Sequence, residues 1–135
     1  MRRLTLGVIL VLFALGATAC EFSASTANIT QVVMARGYAN GAAVDPTSTF
    51  QPTDVVHGVV TLGNAPDDTK LKAVWTAVDA GDGQYKNTKI DEAELTTGGV
   101  ADFTLSNTKP WPTGTYQVEI YLNDKLAQTV PFSVQ

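Results

Sequence analysis

The sequence predicts an all-β, antiparallel two-sheet sandwich behind an exported leader, and three observations carry that expectation. From Ile29 onward, short runs of alternating apolar and polar residues recur at regular intervals with no helical period between them. Gly, Pro, Asn and Asp punctuate the gaps. Ahead of the runs stands an apolar stretch that is short for a permanent membrane span and ends in small residues.

Arg2 and Arg3 form a positive start, residues 4–15 an apolar run, and Gly16-Ala17-Thr18-Ala19 the small residues a signal peptidase needs. As a helix the run spans roughly 20 Å, at about 1.5 Å per residue, against ~30 Å of hydrocarbon core. Residues 1–19 therefore read as a signal-peptide helix. Cleavage there would leave Cys20, the only cysteine, at the mature N-terminus. Ala17-Thr18-Ala19-Cys20 resembles the lipobox of bacterial lipoproteins, with Ala17 where Leu is usual. The resemblance implies a diacylglycerol on the Cys20 thiol, fatty-acyl chains such as palmitate, and a lipid anchor in the bacterial cell envelope. Glu21 stands where an Asp often signals inner-membrane retention in Gram-negative cells, which leans towards the outer membrane. The competing reading is plain secretion with an incidental thiol. Residues 20–28 would be the lipidated cysteine and a polar tether, and residues 29–135 the folded domain.

Without Arg2 and Arg3, seven basic residues remain against thirteen acidic ones, a formal charge of −6. That balance argues against nucleic acid and anionic headgroups as partners. It leaves the membrane to the lipid.

Within the domain, residues 30–38 read as a first strand, 39–53 as a loop holding Gly41, Asp45-Pro46 and Pro52, and 54–62 as a Val-rich strand. In residues 70–79, Leu71, Ala73, Trp75 and Ala77 share one face, and Lys70, Lys72 and Thr76 the other. Gly81-Asp82-Gly83 is a hairpin turn. Residues 85–90 read as a short charged edge strand. Ala101, Phe103 and Leu105 form the next inward row, followed by Tyr116, Val118, Ile120 and Leu122. Asn123-Asp124 makes a tight turn. Leu126, Val130, Phe132 and Val134 face inward on the last strand, where Pro131 favours an edge or a bulge. That makes about seven strands.

Trp75 on a central strand and Pro112-Thr113-Gly114-Thr115-Tyr116 give the sequence a resemblance to immunoglobulin-like and fibronectin type III-like domains of bacterial envelope proteins. A Tyr entering the penultimate strand after a Gly turn is similar to a tyrosine corner. The inter-sheet disulfide of antibody domains is missing. Val118 stands at one expected cysteine position and Val60 or Leu62 at the other, so apolar packing must replace the bridge.

This sandwich hosts many activities, so function must come from sites. His57, the only histidine, shares a strand face with Val55, Val59 and Thr61 and reads as a half-exposed strand residue. No nucleophile motif accompanies it, and an enzyme is not expected. Asp79 and Asp82 could offer oxygen ligands to Ca²⁺, as could Asp91, Glu92 and Glu94, but neither set has calcium-loop spacing. No metal and no cofactor is expected.

Trp111, held between Pro110 and Pro112, is a rigid, partly exposed recognition anchor or else a cap on the open end of the sandwich. Tyr85 and Tyr121 join it as candidate binding residues. The expected function is a lipid-anchored, non-catalytic binding or structural module with an envelope protein or glycan partner. The alternative is a ligand-sensing or protease-inhibitor-like domain acting through loops 39–53 and 106–115.

Overall fold

The computed structural model describes residues 26–135, so the signal peptide and Cys20 lie outside the described residues. Nine strands follow one another: β1 (Asn28–Ala39), β2 (Ala42–Pro46), β3 (Thr49–Phe50), β4 (Val56–Gly63), β5 (Lys70–Ala80), β6 (Tyr85–Thr96), β7 (Val100–Leu105), β8 (Gly114–Leu122) and β9 (Lys125–Val134). They form two sheets, in the orders β2-β1-β4-β7 and β3-β9-β8-β5-β6. All pairs are antiparallel except β3 with β9.

The inward rows follow from alternation. Leu71, Ala73, Trp75 and Ala77 on β5 are buried, as are Ala101, Phe103 and Leu105 on β7 and Tyr116, Val118 and Ile120 on β8. Val118, and both Val60 and Leu62 as alternatives for the opposite position, stand where the resemblance puts the missing disulfide, and all three are buried. An aromatic cluster fills the centre. Phe132 meets the rings of Phe50 and Trp75 edge-on and stacks on Tyr116, at centroid distances of 5.6, 5.9 and 5.5 Å.

Three expectations need correction. The loop expected at 39–53 contains two strands. Asn40 and Gly41 both take positive φ (52° and 76°), the mark of a two-residue hairpin turn, and return the chain as β2. Arg36 then pins this region. Its guanidinium donates to Asp54 (3.1 Å), Asp45 (3.3 Å) and the Thr49 carbonyl (2.9 Å). Residues 39–53 are therefore not a free binding loop.

The edge strand expected at 85–90 runs on to Thr96 as β6. Asp91 pairs with Trp75 and Lys89 with Thr76, so Ile90 is an extra residue, and its side chain packs against the core. The charges that seemed to end this strand suit an edge, which has solvent beside it.

Leu126 was expected inside but is 54% exposed. Gln128 pairs with Ile120 and Leu126 with Tyr121, so a bulge at Ala127 turns Leu126 to the outer face. Pro131 lies where expected: β3 pairs only with Ser133 and Val134, which leaves β9 uncovered at the proline.

The Asp54 carboxylate also accepts the Gln51 backbone N–H at 2.8 Å. That bond first, and then Arg36, hold its pKa below the ordinary value against the opposing effect of burial. A depressed carboxylate stabilises the fold above its unfolded pKa, and the contribution is lost as pH falls through the lower folded value. Asp54→Asn is therefore expected to weaken the domain at neutral pH and to flatten its loss of stability below about pH 4. Urea unfolding at neutral and acid pH checks this. Parallel pH profiles for the two proteins would refute it.

Candidate functional site

Strand direction sorts the connections into two ends. Asn28 lies opposite Gly63, so β1 starts beside the β4–β5 turn, and the β6–β7 and β8–β9 turns lie at that same end. The β5–β6 and β7–β8 connections and residues 51–55 occupy the other end.

Trp111 closes this second end. It is only 8% exposed, its backbone N–H donates to the Pro52 carbonyl at 2.8 Å, and its ring meets Tyr116 edge-on at 6.5 Å. Of the two readings of Trp111, a partly exposed anchor and a cap, its burial fits the cap. The Tyr116 hydroxyl donates to the Pro112 carbonyl at 2.5 Å, which completes the tyrosine corner. Burial holds the Tyr116 phenol above its ordinary pKa, with Tyr85 adding to the effect. Tyr116→Phe is expected to lose about 1–2 kcal/mol, because the Pro112 carbonyl loses its partner while the ring still packs. Thermal melting checks the loss, and an unchanged midpoint would rule out a stabilising corner.

Two clefts of about 250 Å³ each meet at Trp111. One lies between β6 and the β7–β8 connection, lined by Tyr85, Thr88, Ile90, Asn107 and Pro112. The other lies between residues 52–55 and 107–111. Their size falls just under the ~300 Å³ at which small-ligand pockets begin. Folding thus brings Tyr85, 38% exposed, to the same cleft as the buried Trp111. Asn107, which lines both clefts, was missed; a lone Asn in a polar loop carries no periodic signal.

Tyr121 lies elsewhere, on the outer face of β8. Lys72 Nζ sits 4.7 Å from its ring centroid, and its hydroxyl donates to Glu119 at 3.0 Å. The Glu119 bond, followed by burial, raises its pKa. The three candidate binding residues therefore do not form one site.

His57 is more enclosed than expected, with a side chain 16% exposed. Its Nδ1 lies 2.9 and 3.0 Å from the two Asp102 carboxylate oxygens. A carboxylate only accepts, so Nδ1 carries the hydrogen and Nε2 is the acceptor of the neutral ring. Among the described residues no hydroxyl hydrogen-bonds Nε2, which a nucleophilic triad would require. The pair joins β4 to β7 on the outer face, where His57 is diagonal to Asp102. Sequence reasoning missed Asp102 because its partner is forty-five residues away.

Asp79 lies opposite Lys86, and its carbonyl accepts the Thr115 hydroxyl at 3.4 Å. Asp82 occupies a positive-φ turn position (55°). Glu92 pairs with Lys89, and Asp91 accepts the Glu92 backbone N–H at 2.8 Å. Among the described residues no group of three His, Cys, Asp or Glu side chains is placed to hold a metal.

No family model matches the sequence, and no curated protein matches it. The fold is similar to the crystal structure of an immunoglobulin-like protein from Pseudomonas aeruginosa. The TM-score is 0.58 at 15% identity, over 84% of this chain and 99% of that one. Two weaker likenesses, each with a TM-score of 0.47, are to parts of larger proteins. One is an alkylpurine DNA glycosylase from Pseudomonas fluorescens bound to DNA containing an abasic site analog, at 14% identity over 81% of this chain and 30% of that one. The other is a β-glucosidase from Listeria innocua, at 12% identity over 80% and 15%. Two sheets packed face to face, a buried Trp75 on β5 and a closed tyrosine corner on β8 make the described chain an immunoglobulin-like β-sandwich.

Proposed function

We propose that the chain is an exported bacterial lipoprotein, anchored through Cys20, whose sandwich is a non-catalytic binding or structural module at the cell envelope. The observation that carries the module reading is the pair of clefts meeting at Trp111, at the end opposite the start of β1. Among the described residues no nucleophile bonds Nε2 of His57, and the His57–Asp102 pair ties β4 to β7. The anchor reading rests on the lone Cys20 behind its leader. One hydrocarbon chain holds only marginally, so two or three on Cys20 would make the attachment stable.

Mass spectrometry of the mature N-terminus tests the anchor. The expected result is a chain beginning at Cys20 with the added mass of its lipid; an unmodified chain beginning beyond Cys20 would overturn the assignment. Capture from envelope extract with the anchored protein tests the module, and the absence of any specific partner would count against it. The concavity between residues 52–55 and 107–111 favours a second reading, a ligand-sensing or inhibitory domain. Asn107→Trp, at a position that lines both clefts, tests the surface on which both readings rest. It abolishes binding by the clefts and leaves binding by a sheet face intact.

A further inference from the structure

We infer that the end of the sandwich formed by the β4–β5, β6–β7 and β8–β9 turns is held against the bilayer, leaving a gap too narrow for a folded partner. This rests on the lipid-anchor reading. Thr26, the first described residue, is already tied to that end: its hydroxyl donates to the Asn64 carbonyl at 3.0 Å. Asn28 then pairs with Gly63 as β1 begins. Thr26 stands six positions after Cys20, and six Cα–Cα steps of ~3.5 Å reach at most about 21 Å.

That reach bounds the gap. A folded partner of about 100 residues has a radius of gyration near 13 Å, and so is wider than the space. β5 runs from this end, at Lys70, to the other, at Ala80 opposite Gly114, and at ~3.4 Å per residue its ten steps put the far end about 34 Å off. The clefts at Trp111 and the two outer sheet faces are thus the surfaces left to macromolecules.

Charge does not hold the near end down. Asp67, Asp68 and Asp124 stand there against Lys70 and Lys125, and Lys70 is already paired with Asp124 at 2.9 Å. The approach is set by the tether and the lipid, and it persists on uncharged headgroups.

Native lysines report the geometry. The mature chain is coupled through the Cys20 thiol to a maleimide-headgroup lipid in phosphatidylcholine vesicles. It is then treated with a bulky, polymer-linked amine reagent and read by mass spectrometry against the uncoupled protein. Labelling of Lys70 and Lys125 is expected to fall several-fold, while Lys86 and Lys109 at the far end keep their free rates. A long Gly-Ser insertion between Ser23 and Ala24 should restore labelling at Lys70 and Lys125. Equal labelling of all four lysines, or protection of Lys86 and Lys109 instead, would overturn the inference. Because the lipid is supplied chemically, the result is independent of whether the cell lipidates Cys20, which N-terminal mass spectrometry decides.

Discussion

Gly114→Ala is expected to cost on the order of 3–5 kcal/mol, the largest loss from removing no atoms at all. Gly114 opens β8 at φ 147°, opposite Ala80, where the chain leaves the Trp111 cap and enters the sheet. A Cβ there would overlap the Asp79 carbonyl oxygen and lie 2.6 Å from the Ala80 Cα. Both obstacles are backbone of the neighbouring strand, so no side-chain rotation relieves them. The β5–β8 ladder would have to open at its end, and the tyrosine corner two residues on would shift with it. In a domain whose total stability is about 5–15 kcal/mol, this is a large share. The melting midpoint should fall by roughly 10–20 °C. Gly99→Ala is the control, since nothing lies within 4 Å of its added Cβ and its φ is not positive. Equal midpoints for the two variants would show that the β5–β8 contact yields, contrary to expectation.

Trp75→Ala is expected to cost about 3–5 kcal/mol. The indole is fully buried, meets Phe132 edge-on, and lies over Gly58, whose added Cβ would come within 3.4 Å of the ring. Removing it leaves a cavity between the sheets in the region a disulfide would otherwise brace. The indole N–H, however, is buried without a hydrogen-bond partner. Leaving such a donor unsatisfied costs about 1–3 kcal/mol, a penalty both substitutions remove, so the two variants differ by the ring that phenylalanine keeps and the cavity it fills. The phenylalanine variant should therefore lose clearly less than the alanine variant, in urea unfolding of both. Equal losses would mean that a retained phenyl ring does not fill the space the indole occupies.

The strands read best where one face is buried and the other wet. Leu71, Ala73, Trp75 and Ala77 alternate cleanly because β5 is central in its sheet, with the core on one side only. Leu126 misled because a period-two pattern is blind to a bulge; one extra residue at Ala127 reverses the face, and only the β8 partner reveals it. β6 misled because an edge strand need not alternate. β2 was legible in principle, since Asn40-Gly41 is a strong hairpin signal, but the strand after it is short and mostly exposed.

The candidate site was legible only as separate residues. Tyr85 and Trp111 stand twenty-six positions apart in the chain and share a cleft because β5 and β8 are neighbours, a pairing that crosses the whole middle of the chain. Tyr121, equally aromatic, belongs to another face.

By itself the sequence determined the fold class and most of the core, because burial periodicity and turn chemistry are local properties written in neighbouring residues. It also determined the expectation of an anchor, since a charged start, an apolar run, small residues and one cysteine are read in order along the chain. Only the tertiary structure decided that His57 is held by Asp102, that Arg36 ties three segments together, and that Trp111 is a cap. Those contacts join residues far apart in sequence, and no local preference specifies which strands become neighbours.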